Sequence, residues 1–328
     1  MSGDRIIAEQ RGIALVLTLL TISFLVAVTV QLMMTVDRQV AAATAQRERV
    51  RLDGMVLAGL NLARAALAAD LKENEYESPH DAWAQFSEEK LKAVSEDVAL
   101  TITVTDLGGR LQIHALGDAT KEGYRQVWLR FLLSGRFAIR DQDQAEALLD
   151  AIGDWIDQDD DERPQGAEEG YYRGLNPPYA CRNGAVTTIE ELLLVKGMTP
   201  ELLYGDATHE GLAGYISAVG NDGMIHLNTA PAPILQALSP EMKPKLAQEL
   251  IDFRNDPRNV KLLSSLDWYR QVRGFPASID FESGLLAAVG QYFDINIKAT
   301  YHQFNRTGTG ILFRESEQKQ TLLQWKQE

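Results

Sequence analysis

A single cysteine, Cys181, in 328 residues leaves no internal disulfide to form, so any stable core must come from apolar burial. The lone thiol says little about compartment, because many periplasmic domains fold without disulfides. The five histidines (His80, His114, His209, His226 and His302) are scattered without metal-ligand spacing. There is no Gly-x-Ser-x-Gly elbow and no phosphate-cradling loop, and these absences argue against an enzyme. Basic residues are also scarce. With 32 Lys and Arg against 46 Asp and Glu, the net charge is −14, which repels phosphate backbones and speaks against nucleic-acid binding. Proline is missing from Arg11 to Ser78, and no charged residue falls between Gly12 and Val36.

That uncharged stretch sets the terms for the chain. Residues 13–36 form an apolar run that would rise about 36 Å as a helix, enough to cross a hydrocarbon core with some tilt. A short polar leader precedes it and ends at Arg11-Gly12. A glycine after a basic residue at this junction resembles the processing site of type IV pilin-like proteins, which are cut after the glycine and would here begin at Ile13. Two other readings stay open: a plain single-pass anchor, and a secretory signal cleaved near Ala43-Thr44-Ala45. The apolar region is longer than the about 7–15 residues of a signal peptide. Flanking charge does not decide, since Arg5 and Arg11 are matched by Asp4 and Glu9, while Arg38, Arg47, Arg49 and Arg51 follow the run.

From Asp37 to about Leu71 the apolar residues recur at helical spacing with charges between them, which predicts that the membrane helix continues as an amphipathic rod. Alternation over 99–105, a turn at Asp106-Leu107-Gly108-Gly109 and renewed alternation over 110–115 predict a β-hairpin. Strand character returns only at 292–301, 310–314 and 321–325. The intervening residues read as helices and loops, with a short strand at 224–227. The expected fold class is therefore α+β: a pilin-like long N-terminal helix packed on an antiparallel sheet, with a large, mainly α-helical insertion. The expected divisions are a leader (1–12), a transmembrane helix (13–36), rod and first strands (37–118), the insertion (119–287) and closing strands (288–328). Segments 188–203 and 228–242 look like helix-hairpin-helix units, with Thr199-Pro200 and Ser239-Pro240 opening their second helices. Lys196 is the only base in the first turn, so packing rather than DNA binding is expected.

Residues 141–170 hold twelve carboxylates and one base, Arg163, a net of −11. Asp157, Asp159 and Asp161 with Glu168 match positions 1, 3, 5 and 12 of an EF-hand loop, although Glu162 replaces the glycine at position 6. A solvated acidic loop is the plain alternative. The flanking Ile152, Trp155, Ile156, Tyr171 and Tyr172 should hold the loop against the domain, where uncompensated carboxylates repel one another. The expectation is a structural Ca²⁺ bound by Asp157, Asp159, Asp161 and Glu168, with Glu169 as a further candidate. Zinc would want His or Cys.

In order, these parts resemble the minor pseudopilin K family of type II secretion systems. The resemblance is carried by Arg11-Gly12-Ile13-Ala14-Leu15, by 108–113, by Asp154-Trp155-Ile156-Asp157-Gln158-Asp159, and by 166–172, 176–179, 190–197 and 225–230. At Leu17, the fifth residue after the proposed cut, most pilin-like proteins carry Glu, and K proteins characteristically lack it. The resemblance implies processing by a prepilin peptidase and a single-pass place in the bacterial inner membrane, with the globular part in the periplasm. It also implies calcium in the acidic loop, and a complex with the I and J minor pseudopilins at the pseudopilus tip, joined to the major pseudopilin and the inner-membrane assembly platform. Minor pilins of type IV pili share the leader and rod, so a pilus system remains an alternative, as does an anchored ectodomain of another class.

Overall fold

A computed structural model describes residues 3–86, 91 and 97–328, with side chains from residue 13 onward, residue 283 excepted. Met1 and Ser2 of the leader lie outside the described residues. One helix, α1 (Gly3–Glu73), runs unbroken for 71 residues, consistent with the absence of proline. Its apolar half, Ile13 to Val36, is exposed, packing against none of the described residues, and is long and apolar enough to cross a membrane. The second half buries one stripe, Leu52, Val56, Leu60, Ala63 and Leu67, three or four residues apart and so on one helical face.

That stripe lies on a four-stranded sheet of order β1-β6-β7-β8, antiparallel throughout: β1 (Ala99–Asp106), β6 (Tyr292–Tyr301), β7 (Phe304–Arg314) and β8 (Gln320–Gln327). Alternate residues Leu100, Ile102 and Val104 of β1 face inward with Phe293, Ile295, Ile297 and Ala299 of β6. The three late strands stand where sequence alternation places them, and β7 begins earlier than expected.

The expected hairpin is overturned. β1 pairs with β6, with Asp106 opposite Phe293. Residues 110–115 instead give a two-residue strand, β2 (Leu111–Gln112), parallel to β3 (Ile216–Ser217), and then a 3-10 helix, Ile113–Gly117. Alternation identifies an extended segment but not its partner. Here Asp106 accepts a hydrogen bond from Gly108 N (2.9 Å), which turns the chain into the insertion.

The insertion occupies the span between β1 and β6. It contains α2 (Glu122–Leu132), α3 (Gln142–Ile156), α4 (Glu169–Arg173), α5 (Pro200–Tyr204), α6 (Ala232–Ala237) and α7 (Pro244–Asn255). A parallel bridge joins β4 (Ile225–His226) to β5 (Leu286–Ala287). Thr199 caps α5, accepting a hydrogen bond from Leu202 N at 3.1 Å, as its spacing suggests. The second hairpin-like unit differs from expectation: Ser239-Pro240 forms a turn, and the next helix starts at Pro244.

The insertion and the rod–sheet body have separate apolar cores. Much of what joins them is polar and buried. Arg314 of β7, with no exposed side-chain surface, donates to Leu67 O (2.9 Å) and Gly290 O (2.8 Å), pairs with Glu77 and Asp70, and stacks on the Phe293 ring. Nearby, Asp106 pairs with His226 Nδ1 (2.6 Å) and accepts from Thr229 Oγ1 (2.7 Å), while Asn228 donates to Glu77 O (2.9 Å). Removing one member of a buried pair strands the other charge. Arg314→Met is therefore expected to cost about 3–5 kcal/mol, read from the denaturant midpoint of the purified protein. An unchanged midpoint would show that the seam carries no such weight.

Candidate metal centre

The acidic loop begins on α3. Asp141 caps that helix, accepting from Gln144 N at 2.9 Å, and one apolar face (Ala145, Leu148, Leu149, Ile152, Trp155) enters the insertion core. Asp150, Asp154 and Asp157 follow at intervals of four and three, so they rise along one side of the helix end. Asp150 pairs with Arg125 at 2.9 Å. Asp154 is fully buried and accepts from Arg163 N (3.2 Å) and Ala167 N (2.8 Å). A Cβ at Gly166 would lie 1.8 Å from Asp154 Oδ2, so only glycine lets the returning loop approach this carboxylate.

The loop closes on Glu168, which precedes α4. Asp154, Asp157 and Glu168 bring ligand oxygens within 4.8 Å of one another. Asp154 Oδ1, Asp157 Oδ1 and both Glu168 oxygens are buried without a hydrogen-bond partner, an arrangement that costs free energy unless a cation fills it. Burial pushes the Asp157 carboxyl up to about 6 and Glu168 to about 7, with neighbouring carboxylates adding to both, and burial also raises Asp154. The donor set is all oxygen and suits a hard divalent ion.

The sequence-predicted ligands divide. Asp157 and Glu168 enter the cluster. Asp159 and Asp161 are exposed, and Asp159 Oδ1 accepts from Asp161 N at 3.0 Å. Glu169 pairs with Arg173 and accepts from Cys181 N (2.7 Å). Asp154 was missed, although its spacing from Asp150 and Asp157 on a helix end was the available signal. A linear match to a loop motif cannot register a ligand supplied from the preceding helix.

Aromatic packing holds the site. Trp155 meets Tyr172 edge-on at 4.8 Å, and Tyr172 contacts Tyr179. Lys196 Nζ donates to Gly166 O (2.7 Å) and Gln165 O (3.3 Å), so the single base of the first hairpin-like turn secures the acidic loop. Burial pushes the Cys181 thiol up to about 12, which keeps it from acting as a thiolate nucleophile. At the other end of the chain, Gly12, Ile13 and Leu17 lie within the continuous α1, and Ile13 and Leu17 are exposed on its apolar surface.

Two family models described as type II secretion system protein K match residues 109–205 and 225–289, most of the insertion. The chain belongs to the protein K family of type II secretion systems. The relative from Pseudomonas aeruginosa is 27% identical over 253 residues, 75% of this chain and 72% of that one. The relative from Aeromonas hydrophila is 32% identical over 146 residues, 41% and 42% of the two chains. A chain in the crystal structure of the GspK-GspI-GspJ complex from enterotoxigenic Escherichia coli superposes with a TM-score of 0.62 at 19% identity. That match covers 87% of this chain and 99% of the other, and it shows the shared fold. Members of the family are structural pseudopilin components of the secretion machine.

The raised carboxyls set the sign of a pH effect on this chain. A carboxyl whose folded pKa exceeds its unfolded value stabilises the fold fully below the unfolded value, about 4. That contribution is lost as pH rises through the folded values of about 6 and 7. In chelator, the melting temperature should fall between pH 5 and pH 8, and an Asp157→Asn, Glu168→Gln variant should flatten the decline. A decline of the same steepness in the variant would place its origin elsewhere.

Proposed function

We propose that this chain is the tip-forming minor pseudopilin of its secretion system. It is anchored once in the bacterial inner membrane, with the sheet and insertion in the periplasm, and assembles with I-like and J-like minor pseudopilins to start the pseudopilus and support export of folded proteins. Family membership and the fold shared with a chain of the GspK-GspI-GspJ complex carry the reading. The unbroken α1 fits it, since one rod can both span the membrane and pack on a sheet. Leu17 adds a physical reason. In pilin-like filaments the carboxylate at this position is thought to meet a neighbour's amino terminus, and a subunit lacking such a neighbour avoids an unpaired charge in hydrocarbon by carrying an apolar residue. Processing by a prepilin peptidase after Gly12 and contacts with the major pseudopilin and the inner-membrane assembly platform belong to the same reading.

The chain extracted from membranes should begin at Ile13 and co-purify in fixed stoichiometry with I-like and J-like subunits. A start at Gln46, or recovery along the length of filaments, would sink the tip assignment.

A structural Ca²⁺ is proposed at Asp154, Asp157 and Glu168, carried by the convergence of buried carboxylate oxygens that accept no hydrogen bond. Calcium at 100–1,000 times its dissociation constant should then stabilise the insertion by about 3–4 kcal/mol, and Mg²⁺ by less, because Mg²⁺ demands a strict octahedron. Melting with calcium, with magnesium and with chelator tests this. No calcium shift in the wild type, or the same shift in Asp154→Ala, would remove the metal.

A further inference from the structure

The acidic loop contains one cation, and its side chain lies among the carboxylates proposed to bind metal. Arg163 Nε lies 3.4 Å from Asp154 Oδ1, and one terminal nitrogen lies 3.2 Å from Asp157 Oδ2. The terminal nitrogens also donate to Leu116 O (3.0 Å) and Gly117 O (3.2 Å), tying the loop to the 3-10 helix before α2. The guanidinium reaches this position across Gly153, where an added Cβ would lie 1.4 Å from Arg163 Nη1. Arg163 is largely buried, and the neighbouring cations are engaged elsewhere: Arg125 with Asp150, and Lys196 with loop carbonyls.

The formal charge of Asp154, Asp157, Glu168 and Arg163 together is −2, from three carboxylates and one guanidinium. One divalent ion neutralises that set, whereas the carboxylates alone would leave one charge over. We infer that Arg163 is a resident counter-cation of the acidic loop. It holds Asp154 and Asp157 in place when the ion is absent, and it lowers the affinity for the ion, so the metal tightens a loop that is already folded. This rests on the metal reading above. It adds that Arg163 and the incoming ion compete for the same carboxylates, Coulomb repulsion between them being the physical cost.

The test uses the full chain in detergent, comparing wild type, Arg163→Gln and Gly153→Ala by melting in chelator and in calcium chloride, and by calorimetric titration with calcium. Gly153→Ala keeps the charge on the chain but displaces the guanidinium from the carboxylates. Both variants should melt earlier than wild type in chelator and recover most of the difference in calcium, so the calcium-induced shift grows. Arg163→Gln should also bind calcium on the order of tenfold more tightly. Equal losses with and without calcium would make Arg163 a packing tether only and overturn the inference, as would a calcium shift that disappears in Arg163→Gln. If neither wild type nor the variants respond to calcium, the metal reading itself fails and takes this inference with it.

Discussion

Arg314 is a cation with no exposed side-chain surface, standing where two apolar cores meet without merging. Much of the architecture depends on how its charge is met. The rod supplies Leu67 O and Asp70, the segment after the rod supplies Glu77, and the chain returning from the insertion supplies Gly290 O. Asp106 and His226 make a second polar tie where the chain leaves the sheet. Burying such groups is costly unless each is paired, so the seam tolerates few arrangements and fixes how the insertion sits on the body. The apolar cores can then be built independently, one from the rod and sheet and the other within the insertion.

Much of this was legible in the sequence, and what was not has a common cause. The rod follows from a proline-free stretch whose apolar spacing changes from all-round to one-sided. The late strands follow from alternation, because Phe293, Ile295, Ile297 and Ala299 must all face the rod. The partner of β1 could not be read, since the nearest alternating segment, 110–115, is a decoy whose Leu111, Ile113 and Ala115 belong to the other core. The seam was equally hidden: nothing local in Arg314, Glu77 or His226 announces burial, and each meets partners from elsewhere in the chain.

The acidic loop shows the same limit within a single site. Charge density drew attention to the loop, and its oxygen-only donor set suits a hard divalent ion better than zinc. The motif spacing, however, favoured Asp159 and Asp161, which the fold leaves exposed, over Asp154, which it buries completely. Depth is decided by the aromatic wall of Trp155, Tyr172 and Tyr179 and by the close approach at Gly166. A carboxylate on the preceding helix reaches that depth, and one at the loop tip does not.

A rod–sheet body and an insertion with separate apolar cores, the insertion proposed to be braced locally by a divalent ion, is the physical picture that unites these features. Hydrogen exchange of the full chain in calcium and in chelator tests it most directly. Calcium should slow exchange across residues 154–183 and the packed face of α3 while leaving β6, β7 and the buried stripe of α1 unchanged. Equal slowing in both bodies, or none in either, would contradict the account.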